Sequence, residues 1–189
     1  MFAEPEMKRL MAMAMEEAAL TNPHPLCLVA NAVYTVALAY GIRGGSRAGM
    51  YHAALAVAGA LTVEPGLEEA AGKVLEVLRL AEHAKPEDYQ AEMSHVLIAL
   101  QNGFWQLCHA ADAGQGVIDT ASQGGDAVAN SAVAGALLGA ALDIDSFPPQ
   151  WVDAVLACVP EEGRPNVLQP RPAFCWPVDF MQLAEKLLG

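Results

Sequence analysis

Few residues of this chain have the types and spacing to do chemistry. Gly124-Gly125-Asp126 stands directly before a run of small residues that ends at Ala140. Two glycines let the backbone turn tightly, and Asp126 is placed to cap the helix that follows. His24 lies between Pro23 and Pro25, which on its own reads as a surface-loop histidine. His95 and His109 fall on one predicted helix about four turns apart, so they cannot share a metal. Asp143 and Asp145, at i and i+2 before Ser146-Phe147-Pro148, suit a solvated turn better than an acid/base pair. No Ser-His-Asp, Cys-His or phosphate-loop arrangement is present. Cys27, Cys108, Cys158 and Cys175 contain no Cys-x-x-Cys pair, which disfavours zinc and fits buried thiols in a reducing compartment.

These residues must be positioned by helices. Apolar residues recur at helical spacing, and the alternating strand pattern is nearly absent. The pattern predicts helices over 6–20, 26–40, 47–61, 67–81, 94–110, 115–122, 127–142, 150–158 and 178–188. Pro23 and Pro25 stop the first helix and force an extended loop. Gly41 and the Gly44-Gly45 pair end the second, and Pro65-Gly66 follows the third. The helix over 67–81 is amphipathic, with a solvated polar face. Phe104-Trp105 marks a packing centre, and Gly135 with Gly139 marks a close helix crossing. A proline-rich loop from Pro160 to Pro177 precedes the last helix. The expected fold is all-α, a compact orthogonal multi-helix bundle forming a single domain over 1–189.

Composition narrows the function. The chain has 189 residues, enough for a real core. Ten basic residues against 22 acidic ones give a net charge of -12, so the phosphate attraction behind nucleic-acid binding has no source. The stretch from Leu26 to Ile42 is apolar but carries Asn31 and Thr35 and follows no basic flank, so a buried helix is expected and not a membrane span. The N-terminal segment has no secretory pattern, and the expected location is cytoplasmic. Hydrophobic residues make up 54% of the chain and charged ones 17%, which hints that a partner chain covers some apolar surface.

Four stretches, in order, resemble the ADP-ribosylglycohydrolase family. Thr21-Asn22-Pro23-His24-Pro25, followed by Ala30-Asn31-Ala32, is similar to its Thr-His-Pro-His-Pro loop and the helix after it. Ser94-His95 with Leu100-Gln101-Asn102-Gly103-Phe104-Trp105 resembles the helix before its metal loop. Gly124 to Asn130 resembles its Gly-Gly-Asp-Thr-Asp-Thr-Asn segment, and Arg171-Pro172 with Trp176-Pro177-Val178-Asp179 its C-terminal signature. The resemblance implies all-α enzymes that cleave the glycosidic bond joining ADP-ribose to a protein side chain. In that segment both aspartates and the second threonine hold paired magnesium ions. Here Asp126 and Asn130 remain, the second aspartate is Val128, and the threonines are Ala127 and Ala129. An acidic Thr-Asp-Asp segment in the family's first half supplies the other ligands. Nothing like it is present, so the chain is expected to correspond to the family's second half only.

A magnesium pair needs several hard oxygens in near-octahedral geometry. Val128, Ala127 and Ala129 offer none, so Asp126 is expected to be a helix cap and a remnant of a metal site, with no cofactor. By resemblance, His24, Asn22, Gly124 and Gly125 line the ligand cleft. The leading functional expectation is a non-hydrolytic pseudoenzyme that binds a partner protein or a nucleotide-like, ADP-ribose-like ligand. The alternative is an active hydrolase with a rearranged or partner-completed site. Apolar helix faces left bare by the missing half are expected to be covered by homo-oligomerisation or by another protein.

Overall fold

Prolines, glycines and short polar caps set where the chain turns. The structure, a computed structural model, describes residues 4–188. The described residues form α1 (Glu4–Ala19), α2 (Pro25–Ile42), α3 (Arg47–Leu61), α4 (Glu68–Leu80), α5 (Val96–His109), α6 (Ala113–Ser122), α7 (Ala127–Leu142), α8 (Pro149–Leu156) and α9 (Phe180–Leu188). They contain no strand, so the all-α expectation is met. The chain packs as two compact units, Met1–Ser146 and Phe147–Gly189.

In the first unit, α2 begins at Pro25, whose fixed φ suits a first turn, behind the N-cap His24. Ser46 caps α3 by accepting from the Gly49 N–H at 3.1 Å. Asp112 does the same for α6, accepting from the Gln115 N–H at 2.7 Å. The core is built from Val29, Val33 and Val36 of α2, Met50 of α3, Val74 and Leu78 of α4, Phe104 and Leu107 of α5 and Leu137 of α7, all fully buried. Burying such side chains stabilises the fold by about 1.5–3 kcal/mol each.

The aromatic pair is a packing centre as expected: Phe104 is fully buried in the core, and half-buried Trp105 packs against that core while stacking on His109 at 4.8 Å between ring centroids. In α4, Val74 and Leu78 are fully buried, whereas Leu80 is 47% exposed. The polar face of α4 is solvated as expected, with Lys73 and Glu69 paired at 2.7 Å across one turn.

Helix direction decides which residues meet. The Tyr34 hydroxyl donates to the Val133 carbonyl at 3.0 Å, and Gly41 faces the Ala140 carbonyl. Both pairs share the offset of 99 residues, so α2 and α7 run side by side in the same direction. α5 is parallel to them as well, because Ser94 meets Asp126 near its start and Gly103 faces Val133 and Leu137 further along. The N-termini of α2, α5 and α7, capped by His24, His95 and Asp126, therefore lie at one end of this unit.

The second unit contains α8, two short 3-10 turns at Ala173–Cys175 and Pro177–Asp179, and α9. The proline-rich segment folds back on itself. The Arg171 N–H donates to the Pro160 carbonyl at 2.8 Å, and the Trp176 indole N–H to the Arg171 carbonyl at 2.8 Å. Among the described helices, α2 alone is long and apolar enough to cross a membrane, and 44% of that window is buried inside the molecule.

Candidate functional site

The Gly124-Gly125-Asp126 turn joins α6 to α7. Both glycines have positive φ, +75° and +62°, a region that L side chains rarely adopt. Asp126 then caps α7. Its Oδ1 accepts from the Ala129 N–H at 3.3 Å, and its carbonyl accepts from the Asn130 N–H at 2.9 Å. The Ser94 hydroxyl donates to its Oδ2 at 3.4 Å. Val128, at the position of the second carboxylate in the sequence comparison, is 84% exposed, and Ala129 is also exposed.

A strap formed by residues 82–95 holds this turn. Gly125 lies directly under the Tyr89 carbonyl, and Gln90 Nε2 donates to the Gln123 carbonyl at 3.3 Å. Within the strap, Asp88 accepts from the Gln90 and Ala91 N–H groups at 2.6 and 3.1 Å, which holds its carboxyl below the usual range. The strap is bolted to the core through polar side chains. The Tyr89 hydroxyl donates to Asn102 Oδ1 at 2.8 Å, and Asn102 Nδ2 donates to Thr120 Oγ1 at 3.0 Å. Burial, and secondly the Asp119 carboxylate, push the Tyr89 hydroxyl upward, so it stays a neutral donor. Lys85 pairs with Asp119 at 2.6 Å and lies over the Trp105 ring at 4.5 Å, while Gln106 Nε2 donates to the other Asp119 oxygen.

His24 and Asn22 sit on the neighbouring loop. His24 Nδ1 accepts from the Leu26 N–H at 3.2 Å, and Asn22 Oδ1 accepts from the His24 N–H at 3.2 Å. With Nδ1 an acceptor, the neutral ring carries its proton on Nε2. His24 borders a depression of about 220 Å³ that includes Glu69 and Lys73 of α4. None of its lining residues comes from the glycine turn. Parallel packing thus puts the two groups at the same end, yet among the described residues no hydrogen bond joins them.

A second depression, of about 200 Å³, opens between α2, α5 and α7, where Asn31, Tyr34, Leu100 and Val133 form part of the wall. Burial pushes the Tyr34 hydroxyl up to about 12. Nearby on α7, Asn130 is 2% exposed, and its Nδ2 has no hydrogen-bond partner. The sequence reading assigned no site role to Asn31, Tyr34, Tyr89 or Asn130. A signal was present in part, since an asparagine in a helix without charged residues invites the question of what it bonds.

The donor set at the turn does not fit a pair of divalent cations. Asp126 is the one carboxylate of the turn and is engaged as a cap, and its helix neighbours 127–129 carry only hydrocarbon side chains. Among the described residues, no group of three His, Cys, Asp or Glu side chains could hold a metal ion. The cap role carries an expectation. Asp126→Ala should cost about 1 kcal/mol, whereas Asp126→Asn, which caps equally well, should change stability by no more than about 0.5 kcal/mol. Urea titrations check both, and equal losses would sink the cap assignment.

The family model described as ADP-ribosylglycohydrolase matches residues 1–187. No curated protein and no solved structure gives a significant match.

Proposed function

Since the chain belongs to the ADP-ribosylglycohydrolase family, we propose that it is a non-hydrolytic member that acts by binding, either a partner protein or a nucleotide-like ligand. The single observation that carries this reading is the exposed hydrocarbon of Val128 beside the engaged carboxylate of Asp126. Family chemistry requires oxygens there to orient the ribose and activate water. A valine facing solvent supplies neither function.

The binding part of the reading is supported by what the turn retains. Gly124 and Gly125 keep their positive φ, the strap keeps them in place, and His24 keeps its outward N–H at the same end of the unit. The four cysteines are free thiols but not the buried ones expected, since Cys27 and Cys108 are half-buried and Cys158 and Cys175 are exposed. Free exposed thiols are in keeping with the reducing cytoplasm we assign it to.

The test is release of ADP-ribose from a modified protein in the presence of magnesium. The expected result is no release above the enzyme-free rate. Release that is abolished by Asp126→Ala would overturn the proposal and establish the hydrolase alternative.

A further inference from the structure

We propose that Cys158 and Cys175 are a disulfide site, two thiols that close reversibly into a bond stapling the second unit, Phe147–Gly189, when the thiol–disulfide balance around the protein turns oxidising. The inference is independent of the non-hydrolytic reading and concerns a different part of the chain.

The second unit has little of its own to hold it. Among its described residues none is buried, and Leu168 and Phe174 are 95% and 87% exposed. Apolar burial is the main term opposing chain entropy, and units of this size usually need a disulfide, a metal or a partner in its place. What this unit does contain is two of the chain's four cysteines, both exposed.

The fold brings these two thiols into one place. The carbonyl of Pro160, two residues after Cys158, accepts from the Arg171 N–H at 2.8 Å. On the other side, α8 ends two residues before Cys158 and packs against the Pro177–Asp179 turn, which begins two residues after Cys175. The chain leaving α8 and the chain returning to that turn therefore run side by side in opposite directions. Each cysteine lies on its own run, between the same two contacts. Cys175 is held there at the close of a 3-10 turn, its N–H donating to the Pro172 carbonyl at 2.9 Å. A disulfide asks for Cα atoms about 4.4–6.8 Å apart. The thiols are free in this structure, and neither run has a buried side chain to resist the remaining approach.

A low-molecular-weight disulfide such as glutathione disulfide supplies the oxidising equivalents. Cys158 lines an open depression of about 460 Å³ with Arg164, Asn166 and Gln169, so a small disulfide can reach its sulfur. The Cys158 thiolate, its proton given to water, attacks one sulfur of the small disulfide, whose S–S bond breaks and releases one thiolate. The Cys175 thiolate then attacks Cys158 Sγ, the mixed S–S bond breaks, and the second small thiolate leaves. Both leaving thiolates take up the protons released. Two protein thiols are oxidised and one small disulfide is reduced to two thiols, so the electrons balance. Cys27 and Cys108, half-buried on α2 and α5, are the internal reference. Burial pushes the Cys108 thiol up, which keeps it protonated and slow to attack.

The test incubates the full chain with glutathione disulfide, blocks the remaining thiols after denaturation, and reads the mass and the non-reduced peptide map. The expected product is a single chain two hydrogens lighter, with the peptides of Cys158 and Cys175 linked, Cys27 and Cys108 blocked, and full reversal by dithiothreitol. Amide hydrogen exchange across 158–176 is expected to slow by about tenfold or more in the linked form, because the cross-link removes open states of this unit. Cys158→Ser and Cys175→Ser, at exposed positions, are each expected to keep wild-type circular dichroism and to end with one glutathione attached and no link. Mixed disulfides that persist on the wild-type chain without a link would overturn the inference. So would a link that involves Cys27 or Cys108 or joins two chains, or a linked chain whose amides exchange as fast as those of the reduced one.

Discussion

Gly125→Ala is expected to cost about 2–5 kcal/mol, a large share of the roughly 5–15 kcal/mol that holds a domain together. Two independent terms contribute. A side chain at φ +62° is strained by about 1–2 kcal/mol. The added Cβ would also overlap the Tyr89 carbonyl, which is backbone and cannot swing aside. Relieving that overlap means lifting the strap, with a typical overpacking cost of about 1–3 kcal/mol. Gly124→Ala is the internal control. Its φ is also positive, at +75°, but its Cβ would meet only the exposed Gln90 carboxamide, which can move. Its cost should therefore stay near the strain term, about 1–2 kcal/mol. Chemical denaturation of both variants decides the matter. Equal losses would show that the strap does not press on the turn.

This contrast marks what could and could not be read from the chain alone. The helix limits were legible because local chemistry sets them. Arg47–Leu61 and Ala127–Leu142 appear with the bounds expected, each behind a short polar cap, Ser46 or Asp126. The turn was legible as a turn. What it is for was not, because the close contact that demands glycine at 125 comes from a carbonyl 36 residues earlier, on a segment without periodicity. The same holds for Tyr89, Asn102 and Thr120, whose pairing spans 13 and 18 residues and depends on how α5 meets α6. The aromatic pair was legible as well, since two adjacent large rings on an apolar helix mark a packing centre, and Phe104 is in the core with Trp105 packed against it. For the site, the departures at 127–129 and the Asp126 cap were visible as letters, but only the fold shows Val128 in solvent.

Asn102→Asp is expected to be the other large loss, and it carries a pH signature. Asn102 is fully buried, and it uses both ends of its carboxamide, accepting from Tyr89 and donating to Thr120. The Thr120 hydroxyl already donates to the Gly116 carbonyl at 2.9 Å, so it offers Asn102 only a lone pair. An ionised carboxylate keeps the Tyr89 bond but sets a charged oxygen against that lone pair, in a site closed to solvent. A buried, unpaired charge costs about 3–5 kcal/mol. Protonation restores the donor, because a carboxylic acid O–H can take the place of the Asn102 N–H. The folded-state pKa of the new carboxyl is therefore raised above its unfolded value of about 3.9. The folded state then binds more protons than the unfolded state, and stability falls as pH rises, by about 1.4 kcal/mol per unit, from near pH 4 until the buried group ionises. Urea titrations of the variant and the wild-type chain should give a difference that is small near pH 4 and widens towards pH 7. A difference that stays constant across that range would mean that the introduced carboxylate is solvated and the strap is not anchored through this side chain, leaving Gly125 without the fixed carbonyl that its conformation answers.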